Sequence, residues 1–175
     1  MNCNNLFRPI LIQNNMENNI ESNEESKIFS LYKDILRYWN ERNAVEMANL
    51  FADNGDLIGF DGSQFNGKGE IEKHLSYIFS NYQTPKYVAK IRSLRFLSPE
   101  IGILQAVGGL VQPDKSDILK ELNAVQTLVA SKYNNSRWKI ALYQNTPAAF
   151  HNRPELGEQL TEELRQVLQQ HGPAR

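Results

Sequence analysis

Cysteine is almost missing from this chain. Cys3 is the only one in 175 residues, and it lies in a polar stretch, which excludes an intramolecular disulfide and leaves no thiolate set for a metal. Histidine is nearly as scarce. His74, His151 and His171 are far apart, and none has a second His or Cys at ligand spacing, so no metal site is expected. Net charge is lacking too: a formal charge of -1 supplies no field to draw nucleic acid or an anionic membrane. The longest early apolar run, Pro9-Ile10-Leu11-Ile12, is too short for a secretory signal or a spanning helix. The expectation is a cytoplasmic protein without membrane or nucleic-acid partners. Gly67-Lys68-Gly69 and Gly108-Gly109 are too short to cradle a phosphate. No G-x-S-x-G and no core Cys/His pair is present to build a nucleophile. No cofactor is expected.

The length suits one domain that buries a core without disulfides or metal. Residues 1–23, rich in Asn, show no sustained periodicity and read as a mobile leader, with Met16 as an alternative start. From Glu24 the apolar residues Ile28, Leu31, Tyr32, Ile35, Leu36 and Trp39 recur at helical spacing. Asn43 with Glu46 three residues on has the form of a capping box for a second, short helix whose apolar face is Ala44, Met47, Ala48 and Phe51. Asp53-Asn54-Gly55 should end it, before a short strand over residues 56–60 and a tight turn at Asp61-Gly62. Ile71, Leu75, Ile78 and Phe79 form the stripe of a third helix.

Thr84-Pro85 stops that helix, and four long strands follow, over about 86–96, 101–112, 119–132 and 137–146. Short polar turns separate them, at 98–100, 113–116 and 134–136, which makes an antiparallel meander. Gly108-Gly109 inside a strand suggests a bulge or a close backbone approach. Residues 149–175 form a tail whose Leu156, Leu160, Leu164, Val167 and Leu168 make an amphipathic helix that packs on its own domain or on a partner subunit. The order reads as an α+β fold, with three N-terminal helices covering one face of a strongly curved, mainly antiparallel sheet, and the inside of the curve as a natural cavity. Aliphatics on both faces of residues 101–132 suggest that the outer face is covered as well, most simply by a second copy of the chain in a homodimer.

Several motifs then occur in a familiar order: Trp39-Asn40 with Arg42-Asn43-Ala44, Leu50-Phe51-Ala52-Asp53, Gly55-Asp56-Leu57-Ile58, Asp61-Gly62, Gly67 with Ile71, His74 and Phe79, and Trp138-Lys139-Ile140 to Gln144-Asn145-Thr146-Pro147. Over residues 26–148 they resemble the SgcJ/EcaC group of the nuclear transport factor 2-like superfamily, beside the SnoaL-like and DUF4440 proteins. The resemblance implies a cone-shaped, cystatin-like domain over residues 24–148, a pocket between helices and sheet, and a homodimer. It implies no single chemistry, because this superfamily resembles isomerases, dehydratases, cyclases, association domains and binding proteins alike. Asn43 departs from the group, which usually has Asp there.

The candidate pocket is therefore argued from residue types. Tyr32, Trp39 and Asn40 lie on the first helix and His74 beside the stripe of the third. Alternation places Gln144 on one face with Trp138, Ile140 and Leu142, Gln105 with Ile101, Ile103 and Val107, and Gln126 with Ala124, Leu128 and Ala130. An amide on an apolar face needs a partner, whether a core group, a water or a ligand. His74 and Asp61 are the candidate acid–base groups, although a boundary histidine and a turn-forming aspartate are the ordinary readings of both. Three functions follow in order: a binding or accessory protein for an apolar ligand, a cofactor-independent lyase, isomerase or cyclase, and a structural association module.

Overall fold

The computed structural model describes residues 9–133 and 137–175, with side chains from Asn23 on. The expected leader over 1–23 and the turn at 134–136 thus fall wholly or partly outside the described residues. Helix α1 spans Pro9–Glu41. Its core stripe is the one the periodicity marks: Ile28, Tyr32, Ile35 and Leu36 are buried. Glu24 fastens this helix to the sheet by accepting from Lys132 Nζ at 3.0 Å and from Trp138 Nε1. Burial pushes the Glu24 carboxyl up, but donors from Lys27, Lys132 and Trp138 outweigh it and hold the group at about 2.

Asn43 caps α2 (Ala44–Asn49), its Oδ1 accepting the Glu46 N–H at 3.1 Å. The next element differs from the expectation. Residues 51–55 do not finish the helix or turn: they open strand β1 (Phe51–Ile58). The reason is tertiary, since the Ile140 N–H donates to the Leu50 carbonyl at 2.9 Å and Phe51 pairs with Ile140. Sheet pairing here overrides a local turn signal. Gly62, at φ 87°, turns the chain into β2 (Gln64–Asn66), and α3 (Lys68–Asn81) follows.

The long strands are β3 (Lys86–Ser98), β4 (Ile101–Val111), β5 (Ala124–Tyr133) and β6 (Arg137–Pro147). They pair consecutively and antiparallel, as a meander. Residues 120–122, expected in the third of these strands, form a 3-10 turn instead. Gly108 and Gly109 stay in the regular ladder, so their role is close approach: a Cβ on Gly108 would stand 3.0 Å from Gln126 Nε2.

The expected strongly curved cone is corrected by the topology. The sheet is open and mixed, in the order β2-β1-β6-β5-β4-β3, with β1 parallel to β6 and with β2 and β3 as separate edges. Closure is unnecessary because the β3 edge is covered locally. Asn40 Oδ1 accepts the Tyr87 N–H at 2.7 Å, while Asn40 Nδ2 and the Ala174 N–H both donate to the Tyr87 carbonyl. Side chain and tail backbone thus satisfy groups that an edge would leave open.

Helices α1–α3 pack on one face. Helix α4 (Pro154–His171) covers part of the other, with Leu160 and Leu164 against Val88, Val107, Val111 and Ile118. Ion pairs seat it, Glu163 with Lys90 and Arg92, and Asp117 with Arg165. The chain itself therefore covers part of the outer face, and Ile101, Val125 and Leu97 remain exposed beyond it. Among the described residues, no helix is long and apolar enough to cross a membrane.

Candidate functional site

One extra residue in β6 decides what the site contains. Val129 pairs with Leu142 and Ala130 with Ile140, leaving Ala141 unpaired in a bulge. Strand side chains alternate faces, so an inserted residue exchanges the faces of everything beyond it. Trp138 and Ile140 point to the core as the alternation predicts, but past the bulge Tyr143 and Asn145 are buried in place of Leu142 and Gln144. Gln144 instead donates from Nε2 to Thr146 Oγ1 at 3.1 Å in an exposed position.

Between this strand and the helices lies a cleft of about 240 Å³. Ile35, Leu36 and Trp39 of α1, Met47 of α2, and Leu75 and Ile78 of α3 form its helical walls. Leu57 and the turn after β1, through Asp61, form another wall, and Tyr87, Tyr143 and Asn145 form the floor. Trp39 is fixed on three sides. Its ring meets Phe79 and Tyr87 edge-on at 5.4 and 5.5 Å, and its Nε1 donates to the Pro85 carbonyl at 2.9 Å.

Behind the floor runs a buried polar chain. Tyr32 OH donates to Gln126 Oε1 at 2.6 Å, Gln126 Nε2 to Asn145 Oδ1 at 3.2 Å, and Asn145 Nδ2 to Tyr87 OH at 2.8 Å. The Tyr143 hydroxyl is different: it is buried, and among the described residues it has no hydrogen-bond partner. Burial pushes all three phenols above their ordinary value near 10, with neighbouring phenols adding to the rise at Tyr32 and Tyr143 and the Asn145 bond partly opposing it at Tyr87. They remain neutral O–H groups at any physiological pH.

The rim carries the two candidate acid–base residues. His74 stacks on Phe65 with centroids 3.6 Å apart, and burial lowers its pKa below 6.5 while the Asp61 charge opposes that shift. The imidazole is therefore neutral at pH 7. Asp61 accepts from the Ser63 N–H at 3.0 Å and from Ser63 Oγ at 2.8 Å, and these bonds lower its pKa. It is an ionised turn former at the mouth. Among the described residues no hydrogen bond joins it to His74, and no three of His, Cys, Asp and Glu cluster as metal ligands.

Of the residues singled out in the sequence, Trp39, His74 and Asp61 line the cleft. Tyr32 and Gln126 stand one layer behind it, in the polar chain. Asn40 closes the β3 edge. Gln105 is exposed on the opposite face, where Ser93 Oγ donates to its Oε1 at 3.4 Å, because Leu104 and Ala106 are the inward residues of β4. Tyr87, Tyr143 and Asn145 are not among the pocket candidates that the sequence offers, since alternation puts Tyr143 and Asn145 on the face opposite Gln144. Strict alternation through β6 hides the last two, and nothing about Ala141 signals a bulge.

No protein-family model matches the sequence, and no curated protein matches it. Solved structures do. A domain of unknown function with a cystatin-like fold from Nostoc punctiforme is similar at TM-score 0.69 and 20% identity, over 83% of this chain and 93% of that one. An NTF-2-like protein of unknown function from Shewanella oneidensis is similar at 0.58 and 18%, over 70% and 98%. A ketosteroid isomerase-like protein from Erwinia carotovora atroseptica is similar at 0.56 and 15%, over 71% and 95%. Together with an open mixed sheet that carries helices on both faces and a cleft beneath α1, these likenesses show that the chain has a cystatin-like, NTF-2-like fold.

Proposed function

We propose that the protein is a small-molecule pocket protein of the SnoaL-like type, and within it a member of the SgcJ/EcaC group, whose cleft binds an uncharged, largely apolar ligand. The observation that carries this reading is the cleft itself: an apolar space bounded by Trp39, Met47, Leu57 and Ile78 that the side chains leave unfilled. Small-molecule sites combine such walls with a few polar groups. An apolar cavity of roughly 150 Å³ admits benzene, so a cleft of about 240 Å³ suits one ring with substituents. Native mass spectrometry of protein purified from its own host should show a retained small molecule. Ligand-free protein that also rejects a broad panel of neutral apolar compounds would contradict the proposal.

A second reading, proton transfer without a cofactor, is favoured by the neutral His74 at the cleft wall with the Asp61 charge near it. The fold's likeness to a ketosteroid isomerase-like protein is compatible with it. On this reading His74 takes a proton from a bound substrate, and His74→Ala lowers turnover by about a hundredfold or more, the usual worth of a general base. An unchanged rate removes His74 from the mechanism.

The exposed outer-face residues Ile101, Val125 and Leu97 support a homodimer formed beside α4, through the part of the sheet that the helix leaves uncovered. Light scattering on the eluting protein should give twice the chain mass; a clean monomer mass would end this reading.

A further inference from the structure

A second concave space lies at the opposite end of β6 and shares no lining residue with the cleft. It measures about 690 Å³, within the range of roughly 300–1,000 Å³ that small-molecule sites occupy. Strand pairing builds it. Tyr133 stands opposite Arg137 and Ser131 opposite Lys139, so Arg137 and Lys139, two apart on β6, share one face with the Tyr133 ring. Between Phe51 and Asp56 the β1–β6 register slips, and Asp53 and Asn54 stand exposed there. Lys68 enters from the first turn of α3, where a helix disfavours a cation. Three cations thus meet one carboxylate, Asp53. Among the described residues none of Asp53, Lys68, Arg137 and Lys139 forms an ion pair, whereas Lys90, Arg92, Lys120, Lys132 and Arg165 all do. The crowding is felt at Lys139: burial lowers its pKa, Lys68 and Arg137 lower it further, and Asp53 opposes them. Its Nζ donates to the Asn49 carbonyl, which offsets no charge. Tyr133 OH donates to Asn54 Oδ1 at 3.3 Å, leaving the Asn54 Nδ2 protons unused among the described residues. Like charges gathered without a counter-ion cost stability, and a bound anion removes that cost.

We propose that this space is an oxyanion site, distinct from the apolar cleft, whose ligand is the dianionic phosphate monoester of a small polar molecule. The charge selects the dianion, since three cations against one carboxylate leave two positive charges. Arg137 and Lys68 supply the contacts: a guanidinium holds phosphate through two parallel hydrogen bonds and an ammonium holds it as a point charge. The volume selects the ester, because a bare phosphate fills only a small part of it, and the exposed Tyr133 ring gives the organic part a surface to lie on. The overall charge of -1 does not prevent this, since screening confines the interaction to within about 8 Å of the cluster. The inference goes beyond the cleft reading and does not depend on it.

Calorimetry at about pH 8, where a phosphate monoester is dianionic, tests this with ribose 5-phosphate, inorganic phosphate, ribose, and sodium gluconate, a monoanion of similar size. Ribose 5-phosphate should saturate a single site on the wild type, inorganic phosphate should bind there more weakly, and ribose and gluconate should not saturate it. Arg137→Gln and Lys68→Gln should each weaken ribose 5-phosphate by about tenfold or more, the worth of a charge-assisted hydrogen bond, while Arg137→Lys keeps part of the affinity. Each glutamine variant loses a repelled cation, so without phosphate both should melt at or above the wild type, which separates lost binding from misfolding. Backbone amide shifts on adding ribose 5-phosphate should gather at Asn54, Lys68 and Arg137 and leave Trp39 unmoved. Wild-type protein that saturates with neither phosphate, or binding that both glutamine substitutions leave unchanged, overturns the site. Gluconate binding as tightly as ribose 5-phosphate overturns the dianion, and inorganic phosphate binding as tightly overturns the ester. None of these results bears on the apolar cleft.

Discussion

Replacing Gln126 by leucine should destabilise the protein by about 2–5 kcal/mol, because two buried groups lose their partners at once. Gln126 accepts from Tyr32 OH at 2.6 Å and donates to Asn145 Oδ1 at 3.2 Å, and its side chain is completely enclosed. Leucine retains the volume but pairs neither neighbour. The Tyr32 hydroxyl would face an apolar group, and Asn145 would lose half of the anchoring that orients its amide toward Tyr87. Gly108 leaves little room for water to enter as a substitute, since even a Cβ there would crowd the Gln126 amide. Urea unfolding of the two proteins measures the loss directly. A variant as stable as the wild type would mean that the chain from Tyr32 to Tyr87 does not hold the floor together.

A comparable loss, about 3 kcal/mol on the scale of strained overpacking, is expected from Gly55→Ala. An added Cβ would lie 2.6 Å from the Ile140 carbonyl oxygen and 3.2 Å from the backbone of Ala52. Every obstacle is main chain, so relief requires β1 and β6 to separate. Gly102 provides the contrast: its added Cβ would meet Ile28 Cδ1, but a side-chain terminus can rotate away. The cost at Gly55 should also reach the cleft. The junction it guards is the parallel pairing of Leu57 with Tyr143 and of Ile58 with Gln144, which sets the β1 wall against the floor. Gly55→Ala should therefore lower both the unfolding midpoint and the affinity for a neutral aromatic probe, and a variant altered in neither would show that the junction is not close-packed.

Much of this architecture is legible from local pattern. The α1 stripe, the Asn43 cap with its Glu46 partner, the Gly62 turn and the meander are each written in neighbouring residues, and each forms where the pattern predicts. What local pattern misses is decided by pairing across the sheet. Phe51 joins a strand because Leu50 and Ile140 meet through the backbone, which no window around Phe51 contains. The open sheet, in place of a cone, follows from an edge that Asn40 and Ala174 cover from distant points in the chain. At the cleft the difficulty is sharper. Trp39, His74 and Asp61 could be found because helix spacing and turn chemistry place them. Tyr143 and Asn145 could not, because a single unpaired residue, Ala141, exchanges the two faces of the strand's end. Gln144, read as the inward amide, and Tyr143, read as outward, trade places on that account alone.

The account stands on the cleft being open to an apolar guest, and a crystal exposed to xenon gas tests this most directly. Xenon enters apolar cavities that remain dry. The predicted result is a xenon atom between Trp39, Met47 and Tyr143, within the space of about 240 Å³ that those residues enclose. A cleft filled by the side chains of Met47 and Ile78, with no xenon bound there, would contradict it.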